Sequence, residues 1–476
     1  MPLALRNVPL HCLVLVLAFV GLVSTPASAA DLEKLPSYNA DIAESSVSGL
    51  SSGAFMAVQF ATAWSSTIRG VGVISGGPVY CAQARSQVAI TQCMQGPPPP
   101  LNVFTGMTDK MAASGAIDPT DNLRRQKIYL FHGYNDGTVV ASVMQATNAF
   151  YEHYLGDAGR GNLFFQDSLG AGHAFVLARP AQAAQDCSAS KSPFIDSCGY
   201  DQAGIILQHI YGALEPPRSG NELTGKVKSF SQETYAEPDT PGALSMAEEG
   251  YVFVPKDCEI ANGPACRVHI VLHGCLQDAN DVGRQLVDRV GYNEWADTNR
   301  IIVIYPQTRA RPLPLPGQPL NPMACWDWWG YVNNDDDYIT KSGRQITAIK
   351  RMLDALTAKY RKQPATPPAA ATAPAGVAVI DTTDRAAALA WRAVPGADAY
   401  RVWRAGPGAG FEPVGSVAGP SFADAGLAPQ SAYRWHVTAV VAGVEGPAST
   451  DVSATTKPTP PACEQPGSCP LGPGGK

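Results

Sequence analysis

An excess of positive charge is what this sequence most plainly lacks. Lys and Arg number 35 against 41 Asp and Glu, and no basic stripe stands out, which argues against nucleic acid as a partner. Long apolar runs are missing everywhere except at the extreme N-terminus, so a bundle of membrane-spanning helices is excluded. Among 11 cysteines there is no C-x-x-C, which removes the usual spacing for zinc or thioredoxin chemistry. Histidines are scarce, 8 in 476 residues, so each can be weighed singly as a general base. Charged residues make up only 16 % and hydrophobic ones 45 %, which favours a sizeable core over disorder. The length calls for two or three domains, and 45 Gly with 40 Pro calls for many loops and at least one linker.

The one long apolar run reads as an address. Arg6 supplies a positive start, Cys12 to Val23 an apolar stretch, and Thr25-Pro26-Ala27-Ser28-Ala29 a small-residue cleavage site. About a dozen apolar residues are too few to span a bilayer core of about 30 Å, so residues 1–29 are expected to be a signal peptide and the mature chain to be exported. Without Cys12 ten cysteines remain. An oxidising compartment favours disulfides, and proximity would pair Cys81 with Cys93, Cys187 with Cys198, Cys258 with Cys266 and Cys463 with Cys469. Cys275 and Cys325 are left over, and sequence alone does not fix connectivity.

Residues 30–362 alternate short apolar runs with helical patterns. Ile128–Phe131, Val268–Leu272 and Ile301–Tyr305 are bounded by turn residues, as buried parallel strands are. Met56, Phe60 and Trp64 recur at helical spacing, and Ile346, Ile349, Met352, Leu353, Leu356 and Tyr360 predict a longer amphipathic helix. The alternation implies an α/β domain. Residues 363–375 are Pro- and Ala-rich without apolar periodicity, a semi-rigid linker. Residues 376–456 turn all-β, with strands at Tyr400–Trp403 and Tyr433–Val440. Leu427-Ala428-Pro429 ahead of Tyr433 resembles a tyrosine corner, so this region looks like a fibronectin type III sandwich. Residues 457–476 form a Pro/Gly-rich tail.

Chemistry enters at Gly49-Leu50-Ser51-Ser52-Gly53. This G-x-S-x-G lies between the short strand Ser46–Ser48 and the helix of Met56, the setting a nucleophile elbow requires. For the base, His11 leaves with the signal and His436 lies in the β-sandwich. His153 and His209 fall in helical stretches, and His269 sits inside a strand. Of His132, His173 and His273, the loop Gly170-Ala-Gly172-His173 presents its imidazole as a hydrolase presents its base. Asp136, in His132-Gly-Tyr-Asn-Asp136-Gly-Thr-Val139 just beyond a strand end, is placed to orient it, which leaves His132 a structural part. The order Ser51, Asp136, His173 is that of α/β-hydrolases. The His-Gly segment that normally precedes the nucleophile here follows it, as Leu272-His273-Gly274-Cys275. A circular permutation explains this, with the helix ending at Tyr360 leading into the nucleophile strand.

GLSSGAFMAVQF, the region of Cys81 after Gly76-Gly77-Pro78, Gly172-His173-Ala-Phe175, Leu272–Cys275 and Cys325-Trp-Asp-Trp-Trp-Gly-Tyr331 together resemble the secreted poly(3-hydroxybutyrate) depolymerases with a permuted catalytic domain. The resemblance implies a circularly permuted α/β-hydrolase followed by a fibronectin-type module. Its activity would be serine ester hydrolysis of the polymer or its oligomers. Ser51 would be the nucleophile, His173 the base and Asp136 its partner, with the backbone N–H groups of Ser52 and Cys275 as oxyanion hole. No metal or organic cofactor is implied. Trp326, Trp328, Trp329 and Tyr331 offer flat apolar faces suited to an uncharged polyester. Asn333–Asp337 reads as an acidic surface loop rather than a calcium site, since no EF-hand spacing follows. Family members acting on solid polymer usually end in a binding domain. Here a short tail follows the sandwich, so soluble oligomers or amorphous polymer are the expected substrates and the sandwich is expected to be a spacer. The rivals are a feruloyl- or acetylxylan-type secreted carboxylesterase and a polymer-binding protein with a vestigial triad.

Overall fold

The computed structural model describes residues 32–178, 185–260, 263–313, 316, 319–333, 335–360, 372–441 and 443–459. The expected signal segment, residues 363–371 of the expected linker, Cys463, Cys469 and residues 460–476 of the expected tail lie outside them. The chain falls into two compact units that divide between residues 361 and 362. No described helix is long and apolar enough to cross a membrane.

The first unit is built on one eight-stranded sheet. In chain order its strands are β1 (Ala40–Leu50), β2 (Ile68–Ile74), β3 (Lys127–Phe131), β4 (Leu163–Gln166), β5 (Lys226–Ser231), β6 (Glu249–Val254), β7 (Cys266–Leu272) and β8 (Ile301–Tyr305). Across the sheet they run β4-β3-β2-β1-β7-β8-β6-β5. All neighbours are parallel from β4 to β8, and β6 is antiparallel to both β8 and β5. Counted from Lys226 rather than from the N-terminus, the order is 1-2-4-3-5-6-7-8, that of an α/β-hydrolase sheet. The permutation is visible as contacts. The Tyr38 N–H donates to the Leu356 carbonyl at 2.8 Å, and the Tyr360 hydroxyl to Asp41 at 2.8 Å. The last helix, Arg344–Thr357, thus hands over to β1 in space although not in sequence. Tyr360, expected on that helix, lies just beyond its end.

β1 is longer than the expected Ser46–Ser48, and it carries polar residues into the middle of the sheet. Ser46 and Ser48 are fully buried in it. Their hydroxyls bond the two ring nitrogens of His269 on the neighbouring β7, at 2.6 and 2.8 Å, and reach Tyr211 and Tyr292 at 2.6 and 2.7 Å. A buried hydroxyl without a partner is costly, so this chain of bonds is what lets serines occupy a central strand. Burial pushes the His269 imidazole down to about 3, so it stays neutral in the network. On the opposite face of the sheet the helix Ser52–Ala63 is buried along its whole length. It leads one apolar core with Phe60, Phe104 and Ile349, while Tyr129, Val271 and Trp295 belong to a second.

The second unit packs a three-stranded sheet and a five-stranded sheet around Leu389, Val402, Trp435 and Val437. The tyrosine corner forms: the Tyr433 hydroxyl accepts the Ala428 N–H at 2.9 Å. Trp435 donates its indole N–H to Asp424 at 2.7 Å, which satisfies the polar end of a wholly buried ring. Topology and corner together make this a fibronectin type III-like sandwich.

Candidate active site

Ser51 sits between β1 and the helix Ser52–Ala63 with φ 58° and ψ −124°. A non-glycine residue in that region is strained, and the neighbours show why the chain accepts it. A Cβ on Gly49 would lie 2.3 Å from the Gly53 carbonyl oxygen, and one on Gly53 would lie 2.4 Å from the oxygens of Leu272 and His273. Both flanking glycines are therefore required by close approach of backbone. The same packing brings the β7 exit loop to Ser51: a Cβ on Gly274 would be 3.4 Å from the Ser51 Cβ.

Asp136 and His173 meet as the sequence order predicts. His173 Nδ1 donates to Asp136 Oδ2 at 2.8 Å, with the two side chains 6 % and 0 % exposed. Asp136 Oδ1 accepts the N–H groups of Thr138 and Val139 at 2.8 and 3.1 Å. Burial alone would raise the Asp136 carboxyl, but the hydrogen bond and charge of His173 outweigh it and hold the group below the usual carboxylate range. His132 stays outside this pair, bonding the Val139 carbonyl at 3.0 Å across the base of the acid loop. The loop bearing His173 is fastened by elements the sequence did not announce. Phe175–Leu177, Gln185–Asp186 and Ile195–Ser197 form a small parallel sheet braced by the Cys187–Cys198 disulfide, and the His173 N–H donates to Ser190 at 2.9 Å.

His273 takes a different part. The Thr308 N–H donates to its Nε2 at 3.1 Å, so the ring proton lies on Nδ1, which donates to the Gly274 carbonyl at 2.7 Å. That carbonyl belongs to the same planar peptide as the Cys275 N–H, which therefore points the opposite way. No bond from the Cys275 N–H is found among the described residues. The Ser52 N–H, first in its helix, has no intrahelical partner either. Thr308 gave no signal in the sequence.

Ser51 and His173 open onto one cavity of about 660 Å³. Its walls are mostly apolar and include Val139, at the end of the acid turn, and Phe55, Met94, Phe194, Leu320 and Met323, which the sequence did not mark; Phe55 follows the elbow and Met323 lies just before Cys325. Trp328, Trp329, Tyr331 and Cys275 line it as well. Trp328 stacks on Phe55 with ring centroids 4.2 Å apart, and Trp329 meets Trp328 edge-on at 5.4 Å. Trp326 differs from expectation. It is wholly buried, 5.4 Å from the His273 ring, and is not among the cavity walls. In a segment without helix or strand periodicity, adjacent aromatics point by turn geometry, which the sequence does not reveal.

The disulfides Cys81–Cys93, Cys187–Cys198, Cys258–Cys266 and Cys275–Cys325 are all formed. The last ties the loop after β7 to the aromatic segment. Among the described residues no group of three His, Cys, Asp or Glu could hold a metal ion.

Fold and site together are those of a serine hydrolase acting on carboxylic esters. No protein-family model matches the sequence. It is 37 % identical over 422 residues, 88 % of this chain and 80 % of the other, to a poly(3-hydroxybutyrate) depolymerase of Delftia acidovorans. It is 36 % identical over 333 residues to a polyhydroxybutyrate depolymerase of Talaromyces funiculosus, covering 69 % of this chain and 94 % of that one. The crystal structure of PHB depolymerase from Penicillium funiculosum matches with a TM-score of 0.62 at 34 % identity, covering 69 % of this chain and all of that one. A serine-to-alanine form of PHB depolymerase complexed with an R3HB trimer gives the same figures. The chain belongs to the poly(3-hydroxybutyrate) depolymerase family.

Proposed function

We propose that this protein is an exported serine esterase that hydrolyses poly(3-hydroxybutyrate) or its oligomers, with Ser51, His173 and Asp136 as its triad. Ser51 Oγ attacks the ester carbonyl while His173 Nε2 takes its proton, and Asp136 steadies the imidazolium through Nδ1–H. The negative charge on the carbonyl oxygen falls to the N–H groups of Ser52 and Cys275. The imidazolium then protonates the departing alkoxide, leaving an acyl-enzyme. Water, deprotonated by His173, releases the hydroxy acid and restores Ser51.

One observation carries the reading: Ser51 and His173 share an apolar cavity, with His173 held from behind by Asp136. An uncharged, methyl-bearing chain suits walls that grip by burial of apolar surface, about 25 cal/mol per Å². Four disulfides among the described residues fit an oxidising compartment and so support export, with residues 1–29 removed. Residues 30–362 are the catalytic part on this reading, residues 363–375 a linker, 376–456 a spacer and 457–476 a tail. The experiment is a substrate panel for the native protein and Ser51→Ala. The native enzyme should prefer 3-hydroxybutyrate oligomers to feruloyl and acetyl-sugar esters, and the variant should lose all but the residual rate, about 10³–10⁴ over water. Preference for the sugar esters would overturn the substrate; a variant keeping a tenth of the native rate would overturn the nucleophile.

A further inference from the structure

Residues 326–332 bring Trp328, Trp329 and Tyr331 to the cavity wall, yet they form neither helix nor strand. Buried backbone N–H groups in such a segment need acceptors from elsewhere. Asp327 provides them. Its buried carboxylate accepts the Tyr331 N–H on Oδ1 at 2.8 Å and the Val332 N–H on Oδ2 at 3.2 Å. Its own N–H donates to Gln345 Oε1 at 2.8 Å, on the last helix, and its carbonyl accepts from Gln59 Nε2 at 3.0 Å, on the helix that follows Ser51. One residue thus closes the turn and fastens it to two helices. Burial pushes its carboxyl up to about 7, and a second carboxylate, Asp335, pushes the same way.

We propose that Asp327 is the positioning residue of the aromatic wall, setting how tightly an oligoester chain is held without touching the reacting atoms. The proposal rests on the esterase reading above. The rings it orders are packed in series, Phe55 on Trp328, Trp328 on Trp329 and Trp329 on Tyr331, the last 4.7 Å apart. The Tyr331 hydroxyl is itself fixed, donating to the Cys325 carbonyl at 2.7 Å and accepting from Gln345 at 3.2 Å. The wall is therefore only as well placed as the turn from 327 to 331. A carboxylate offers two acceptor oxygens to two N–H groups; an amide offers one, and sets its NH₂ against the other donor.

The test compares native enzyme, Asp327→Asn and Gln345→Leu on 3-hydroxybutyrate trimer and on vinyl acetate, a substrate too small to span the wall. Gln345→Leu removes the anchor of the Asp327 N–H and a partner of the Tyr331 hydroxyl. For both variants the trimer KM should rise about tenfold while kcat/KM for vinyl acetate stays within about twofold. A parallel fall on both substrates, an unchanged trimer KM, or failure of both variants to fold would each overturn the proposal, the first and last by making the residue merely structural. Should the native enzyme show no advantage for the trimer, the substrate reading fails instead, and the two failures are told apart.

Discussion

His273 owes its part to being uncharged. Burial pushes its imidazole down to about 4, and the Thr308 N–H fixes which nitrogen carries the proton. If its Nδ1–H orients the Gly274–Cys275 peptide, His273→Phe should lower kcat about 10²–10³-fold with little change in KM, as loss of an oxyanion donor does. Steady-state kinetics on the trimer reads this directly, and a proportionate rise in KM would contradict it. Asp136 behaves oppositely. Its folded-state carboxyl lies below the unfolded value, so the stability it contributes is present above about pH 4 and is lost as pH falls further. Thermal unfolding between pH 2 and 5 should lose part of its acid sensitivity in Asp136→Asn. At this scale much was readable in advance, because a nucleophile elbow and a His-Gly-x-x-Asp turn are local patterns set by backbone geometry. The facing of Trp326, and the acceptors gathered on Asp327, depend on partners as distant in sequence as Gln59 and were not readable.

Between elements, the Cys275–Cys325 bridge closes a segment of 50 residues and joins the loop beside Ser51 to the aromatic wall. Chain-entropy arguments give such a cross-link about 4 kcal/mol against the unfolded state. The double variant Cys275→Ser/Cys325→Ser should therefore unfold at markedly lower temperature by calorimetry, and an unchanged Tm would mean the hydrogen bonds there, such as Leu276 N–H to the Met323 carbonyl at 2.8 Å, suffice alone. Asp327 adds a pH slope of its own. Its carboxyl is raised to about 7 by burial, so ionising it disfavours the folded state, and its contribution to stability falls as pH rises from about 4 to about 7. The strands were legible where they are apolar, as at Ile301–Tyr305. β1 was legible only as a fragment, since its buried serines look like loop residues until the His269 network on β7 is seen. The small sheet behind His173 was invisible, because strands of two or three residues leave no periodicity.

For the whole molecule, the permuted order was inferred from a displaced His-Gly segment, and the contacts of Tyr38 and Tyr360 across the junction give it a physical form. The division between residues 361 and 362 implies that a chain ending near Lys362 keeps its core intact. Such a truncation should hydrolyse soluble trimer with kcat/KM within about twofold of the full chain, and adsorb to crystalline polymer no less. Loss of adsorption on truncation would assign the sandwich a binding role instead of a spacing one. The account as a whole turns on whether Ser51 becomes acylated. Its most direct test is mass-spectrometric mapping after an alkyl phosphonate, with and without excess 3-hydroxybutyrate trimer. A single adduct on Ser51, suppressed by trimer and absent from His173→Ala, is the predicted result; labelling at any other residue, or labelling of Ser51 indifferent to trimer, would contradict it.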